Sequence, residues 1–134
     1  MPTRAQIEQA IFTHFDAWNA RDRARWTANW ADDVILEDPV GGPTKRGREA
    51  VDASWDNSFK EGHTWTIDYV LMQICKNEAA LHVVSTGTVD NDPVRLETIE
   101  IYTVNDAGKI CYCKTYFNPP PGQKLDPYFM EAHG

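Results

Sequence analysis

Strongly basic character is missing from this chain. Lys plus Arg number 13 against 20 Asp plus Glu, which gives a formal charge of −7 and a pI near 4.9. That sign repels phosphate, so neither nucleic acid nor an anionic membrane is an expected partner. Long hydrophobic runs are missing too, and no stretch approaches the roughly 18 apolar residues of a membrane-spanning helix. The N-terminal MPTRAQIEQ has no apolar run behind a basic start. No signal peptide is therefore expected, and the expected location is cytoplasmic. Three cysteines, Cys75, Cys111 and Cys113, are too few and too irregular for a disulfide framework. Cys111-x-Cys113 lacks the spacing of a redox or zinc pair and reads as two free thiols on one strand face. There is no Walker loop, no Gly-x-Gly-x-x-Gly and no histidine pair at i, i+4, so no metal and no organic cofactor is expected.

What remains is an ordinary globular balance. In 134 residues, 42% are hydrophobic and 25% charged, which predicts one folded domain over 1–134. A proline-rich tail over 118–134 opens with three consecutive prolines, which end any regular element.

Apolar spacing predicts a first helix from Thr3 to about Arg21, with Thr3 as N-cap and Glu8 near its positive end. Ile7, Ile11, His14 and Trp18 form its apolar stripe, so a histidine sits inside that face. Asp22 can cap a short second helix carrying Trp26 and Trp30. Asp33 to Asp38 alternates as a strand, with Val34, Leu36 and Asp38 on one face, and Pro39–Pro43 stops it. Val51, Trp55 and Phe59 mark a third helix from about Arg48 to Phe59. Four strand-like runs follow, roughly 64–75, 79–89, 94–104 and 109–117, with Asn- and Asp-rich turns between them. Helices first and strands after predict an α+β fold, with the helices on one face of a strongly bent antiparallel sheet.

Three residues are candidates for chemistry. Asp38, before a proline, is either a turn residue bonding its own backbone or a general base at the end of a strand. Glu100 shares a strand face with Thr98 and Tyr102. If that face is concave, desolvation holds the carboxyl neutral and able to donate a hydrogen bond; if it is wet, Glu100 is a surface charge. His14 is either a satisfied core residue or a site residue that donates or moves a proton. Arg95, the lone arginine of the long strands, is in phase with Glu97 and not with Glu100. That phase sets Arg95 on the opposite strand face from Glu100.

Asn19-Ala20-Arg21-Asp22, followed by Ala31-Asp32-Asp33-Val34-Ile35-Leu36-Glu37-Asp38-Pro39-Val40-Gly41, resembles the ketosteroid isomerase family of the nuclear transport factor 2-like (SnoaL-like) superfamily. The hallmark of that family is an Ala-Asp-Asp…Glu-Asp-Pro-x-Gly run. Lys45-Arg-Gly-Arg-Glu-Ala50 and Ala107-Gly108-Lys109-Ile110 resemble two further landmarks, and the resemblance runs from Ile7 to Phe117. It implies a cone-shaped α+β barrel with three N-terminal helices on a strongly curved sheet, and a homodimer. It implies Asp38 as catalytic base and Glu100 in place of an aspartic acid that stays protonated. His14 falls where the family carries its principal tyrosine donor. Trp55 falls at a second tyrosine, and Phe117 at a pocket aromatic. The expected catalytic set is Asp38, Glu100 and His14; the expected substrate-binding set is Trp55, Phe117, Tyr102 and Trp18. The activity implied is the shift of a double bond in a steroid or other hydrophobic enone. The alternatives are a dehydratase or cyclase using His14 and Asp38, and a non-catalytic module that binds hydrophobic ligands.

Overall fold

A computed structural model describes residues 1–118. The expected tail, apart from Asn118, lies outside the described residues. The order of elements is α1 (Arg4–Asn19), α2 (Arg23–Ala28), β1 (Trp30–Glu37), β2 (Lys45–Arg46), α3 (Gly47–Ser58), β3 (Thr64–Cys75), β4 (Glu78–Val89), β5 (Asp92–Val104) and β6 (Ile110–Tyr116). The six strands form one sheet in the order β2-β1-β6-β5-β4-β3. Its edges are β2 and β3, so the curved sheet stays open.

Helix α1 starts at the expected cap. Thr3 Oγ1 accepts from the Gln6 N–H at 3.1 Å, and the Gln6 side chain accepts from the Thr3 N–H at 2.8 Å. The two bonds form a reciprocal capping box that satisfies two orphan donors. The stripe read from the sequence is the buried one: Ile7, Ile11, His14 and Trp18 are all buried. At the other end Asn19 pairs with the β3 backbone, donating to the Ile67 carbonyl at 2.7 Å and accepting from the Ile67 N–H at 2.9 Å. A side chain thus occupies part of the edge that β3 exposes.

Several boundaries depart from expectation. Helix α2 ends at Ala28, and Trp30 begins β1 instead of continuing the helix. Arg48 fixes that break by donating to the Thr27 carbonyl at 2.7 Å and the Trp30 carbonyl at 2.8 Å, and so takes up backbone acceptors the helix leaves open. The two-residue strand β2 carries no periodicity that a sequence reading could find. The sheet is antiparallel except where β1 runs parallel to β6. The long β2–α3–β3–β4–β5 excursion separates those two strands in sequence, and it supplies the crossover that a parallel pair needs.

The four-strand meander follows the expected turns. Asp90 and Asn91 both take positive φ, 51° and 68°, which matches a two-residue hairpin between β4 and β5. Alternation along β4 and β5 buries Leu81, Val83, Ser85, Leu96, Thr98 and Tyr102 on the concave side under the helices. On the convex side one cross-strand row reads Leu71, His82, Ile99, Tyr116. Leu71, Ile99 and Tyr116 in that row are 56%, 50% and 44% exposed. Among the described residues no helix is long and apolar enough to cross a membrane.

Strand β3 passes unusually close to β4 at Gly87. A Cβ there would lie 1.9 Å from the Thr64 carbonyl oxygen and 2.7 Å from its carbon. Gly87→Ala is therefore expected to push the two strands apart and to lower stability by about 1–3 kcal/mol. Urea unfolding measures this, and an unchanged midpoint would contradict so close an approach.

Candidate functional site

The concave face and the helices enclose a cavity of about 240 Å³. Its floor is aromatic: His14 from α1, Trp26 from α2, Trp30 from β1 and Tyr102 from β5. Trp18, Trp65, Leu36, Leu96 and Phe117 supply further apolar wall, while Lys45, Asn57, Lys60 and His63 give polar lining. Behind this wall Trp55 packs on Trp18 and Trp26 at ring-centroid distances of 5.4 Å each.

Two carboxylates reach the cavity, and strand register explains how. Leu36 of β1 pairs with Cys113 of β6, and Glu37 pairs with Lys114. One residue on, the chain turns at Asp38, and the Val40 N–H bonds the Thr115 carbonyl at 2.9 Å. Thr115 in turn lies directly opposite Glu100 of β5. Asp38 and Glu100 are therefore one strand apart, although 62 positions separate them in the chain. Asp38 is exposed, whereas Glu100 is partly buried in the wall. The period of two carries Thr98, Glu100 and Tyr102 inward: Thr98 and Tyr102 are 4% and 1% exposed, and the intervening Ile99 is 50% exposed.

Glu100 is held at both oxygens. Thr98 Oγ1 donates to Oε2 at 2.5 Å, and Tyr102 Oη donates to Oε1 in a very short contact. Burial raises the Glu100 pKa, the two donated bonds oppose the rise, and the nearby Asp38 charge adds to it; the net direction is upward. Burial also drives the Tyr102 phenol well above its ordinary value, with the Glu100 charge acting the same way. Cys113, paired with Tyr102 on the neighbouring strand β6, is pushed up by burial first and then by the charges of Glu100 and Asp38. Its thiol stays protonated and its role is packing.

His14 is placed differently from the expected site residue. Its Nδ1 accepts from Trp26 Nε1 at 2.9 Å, and its Nε2 lies 3.0 Å from Tyr102 Oη. Both ring nitrogens are engaged inside the wall, so the imidazole does not stand as a free donor to a ligand. Burial pushes its pKa down to about 3, which leaves it neutral near pH 7.

The expected substrate-binding residues separate in the same way. Trp18, Tyr102 and Phe117 line the cavity, and Tyr102 also bonds Glu100. Trp55 does not line it, because the α3 face carrying Trp55 turns toward Trp18, Trp26 and Phe59. Sequence reasoning did not single out Thr115 or His63 for the site, and set Trp26 on the second helix without its bond to His14. Only Thr115 left a signal, through its alternation with Cys113 on the last strand. Arg95 stands on the convex side with Glu97 and does not line the cavity. Among the described residues no group of His, Cys, Asp and Glu is placed to hold a metal ion.

Comparison with known proteins gives the same fold. Residues 11–113 match the sequence pattern of the SnoaL-like domain. A steroid Delta-isomerase from Nocardioides simplex is 24% identical over 115 residues, covering 86% of this chain and 92% of that protein. The crystal structure of RV0760c from Mycobacterium tuberculosis in complex with estradiol-17beta-hemisuccinate superposes with a TM-score of 0.76 at 27% identity, over 84% of this chain and 94% of that one. The epoxide hydrolase/cyclase-like enzyme SalBIII, of polyether salinomycin pyran ring formation, shares the fold with a TM-score of 0.78 at 19% identity, covering 88% of this chain and 95% of that one.

The buried imidazole has a consequence for stability. Its folded pKa lies below the unfolded value of 6.5. The stability it contributes is therefore complete above that pH and is lost as pH falls toward 3. Between pH 8 and pH 5 the loss from this one group is about 2 kcal/mol. Urea unfolding across that range should show it in the natural sequence and not in His14→Gln. Parallel profiles for the two proteins would contradict a neutral, buried His14.

Proposed function

We propose that this chain, which belongs to the SnoaL-like domain family, is a steroid Delta-isomerase-like enzyme that moves a double bond in a steroid or similar hydrophobic enone. One observation carries the reading: two carboxyl groups share an aromatic cavity but meet opposite environments, Asp38 exposed and Glu100 set into the wall. An ionised base and a neutral acid in one apolar site are what proton abstraction beside a carbonyl requires.

Asp38 takes a proton from the carbon alpha to the carbonyl. The electron pair moves onto the carbonyl oxygen and forms a dienolate. Glu100, whose pKa burial raises, donates in its neutral form a hydrogen bond to that oxygen, and the preorganised bond strengthens as negative charge develops there. Asp38 then returns the proton two carbons away. The cavity of about 240 Å³ lies just under the usual range of roughly 300–1,000 Å³ for ligand sites. A four-ring ligand would seat its enone end inside and leave its far end at the open mouth. The named activity of the Nocardioides simplex relative and the bound estradiol ester of RV0760c support a ligand of this class. A dehydratase using His14 as its acid is disfavoured, since both imidazole nitrogens are already bonded within the wall.

The convex apolar row of Leu71, Ile99 and Tyr116 would be covered in a homodimer, and the proposal includes that state.

The test is an absorbance assay for the conjugated product from a 5-ene-3-one steroid. Asp38→Asn is expected to lower kcat by roughly 10²–10⁴-fold while steroid binding persists. Unchanged turnover would eliminate Asp38 as base. Binding without turnover in the natural sequence would leave a ligand-binding protein.

A further inference from the structure

The Trp26–His14–Tyr102 chain behind Glu100 has a direction, and the chemistry of its first member sets it. An indole N–H donates and cannot accept. Its 2.9 Å bond to His14 Nδ1 therefore requires a bare lone pair on Nδ1. That excludes both the imidazolium and the tautomer protonated at Nδ1. The remaining neutral form carries its proton on Nε2, 3.0 Å from Tyr102 Oη. His14 thus donates to the phenol oxygen, and the phenol proton leaves on the other side, toward Glu100 Oε1. Thr98 donates to Oε2 from its own position on β5. Every donation in this part of the wall runs toward one carboxyl group.

From this we infer that Trp26 and His14 are positioning residues for Glu100: they fix the direction of donation so that the proton of neutral Glu100 is turned out of the wall and into the cavity. The ligand group that meets this proton is then an acceptor, a carbonyl or enolate oxygen. His14 acts through Tyr102 and touches no reacting atom. The direction of the chain follows from the protein alone; its use in catalysis rests on the isomerase reading above.

Two readouts keep these apart. In the full-length protein, two-dimensional ¹⁵N–¹H correlation of the His14 ring nitrogens reports the tautomer with no turnover involved. The expected result is the Nε2–H form, unchanged from pH 5 to pH 9. Protonation at Nδ1, or a titration inside that window, overturns the inference. In the enone assay, His14→Leu is expected to lose roughly 10²-fold in kcat with KM little moved. His14→Gln keeps an amide oxygen to accept from Trp26 and an amide N–H to donate to Tyr102, and should recover about tenfold of that loss. A Gln variant as slow as the Leu variant overturns the positioning role. If the natural sequence turns over no enone, the isomerase reading fails, and the ring-nitrogen measurement still decides the direction of the chain.

Discussion

A carboxyl group set into an aromatic wall has two ways to persist: it can stay neutral, or it can gather enough donors to hold a charge. Glu100 stands between these. Burial and the neighbouring Asp38 charge push it toward the neutral acid, while Thr98 and Tyr102 each donate to one of its oxygens. The upward net shift says that desolvation wins. The donors still matter, because they fix the geometry of both oxygens. The rest of the site follows from that arrangement. Tyr102 needs an acceptor for its proton, His14 needs one for its Nε2–H, and Trp26 needs one for its indole N–H; each finds it in the next group along.

The fold builds this wall from simple parts. Strand alternation sends Thr98, Glu100 and Tyr102 inward and Ile99 outward. The parallel β1–β6 pair brings the end of β1 beside Thr115, and so carries Asp38 to the same cavity. Helix α1 lays His14 across the open concave face, and α2 follows closely enough to place Trp26 against it. The carboxylates thus come from different strands and their supports from different helices. No short segment of this chain contains the site.

That distribution explains what could be read from the sequence. The stripe of α1, the Thr3 cap and the hairpin turns rest on local spacing and lie where spacing placed them; spacing put Thr98, Glu100 and Tyr102 on one face of β5 but left open whether that face was the inward one. Boundaries set by distant partners did not. Trp30 fits a helix stripe as well as a strand, and the break is made by Arg48, from 18 positions away. Trp55 was expected in the pocket because it falls at the second tyrosine of the family the chain resembles, but a matching position cannot say whether the side chain meets a cavity or a tryptophan cluster. The partners of His14 lie 12 and 88 positions along the chain. Its apolar neighbours were visible in the sequence, and its place inside a directed hydrogen-bond chain was not.

The central claim is that Glu100 is a neutral acid facing a solvent-exposed carboxylate. The most direct measurement is the titration of the Glu100 side-chain carboxyl carbon by ¹³C NMR, assigned by its loss in Glu100→Gln. The account predicts a midpoint displaced clearly above the ordinary glutamate value, with the group still protonated where the surface carboxylates have already ionised. A midpoint at or below that of an exposed glutamate would contradict it and leave the cavity without its acid.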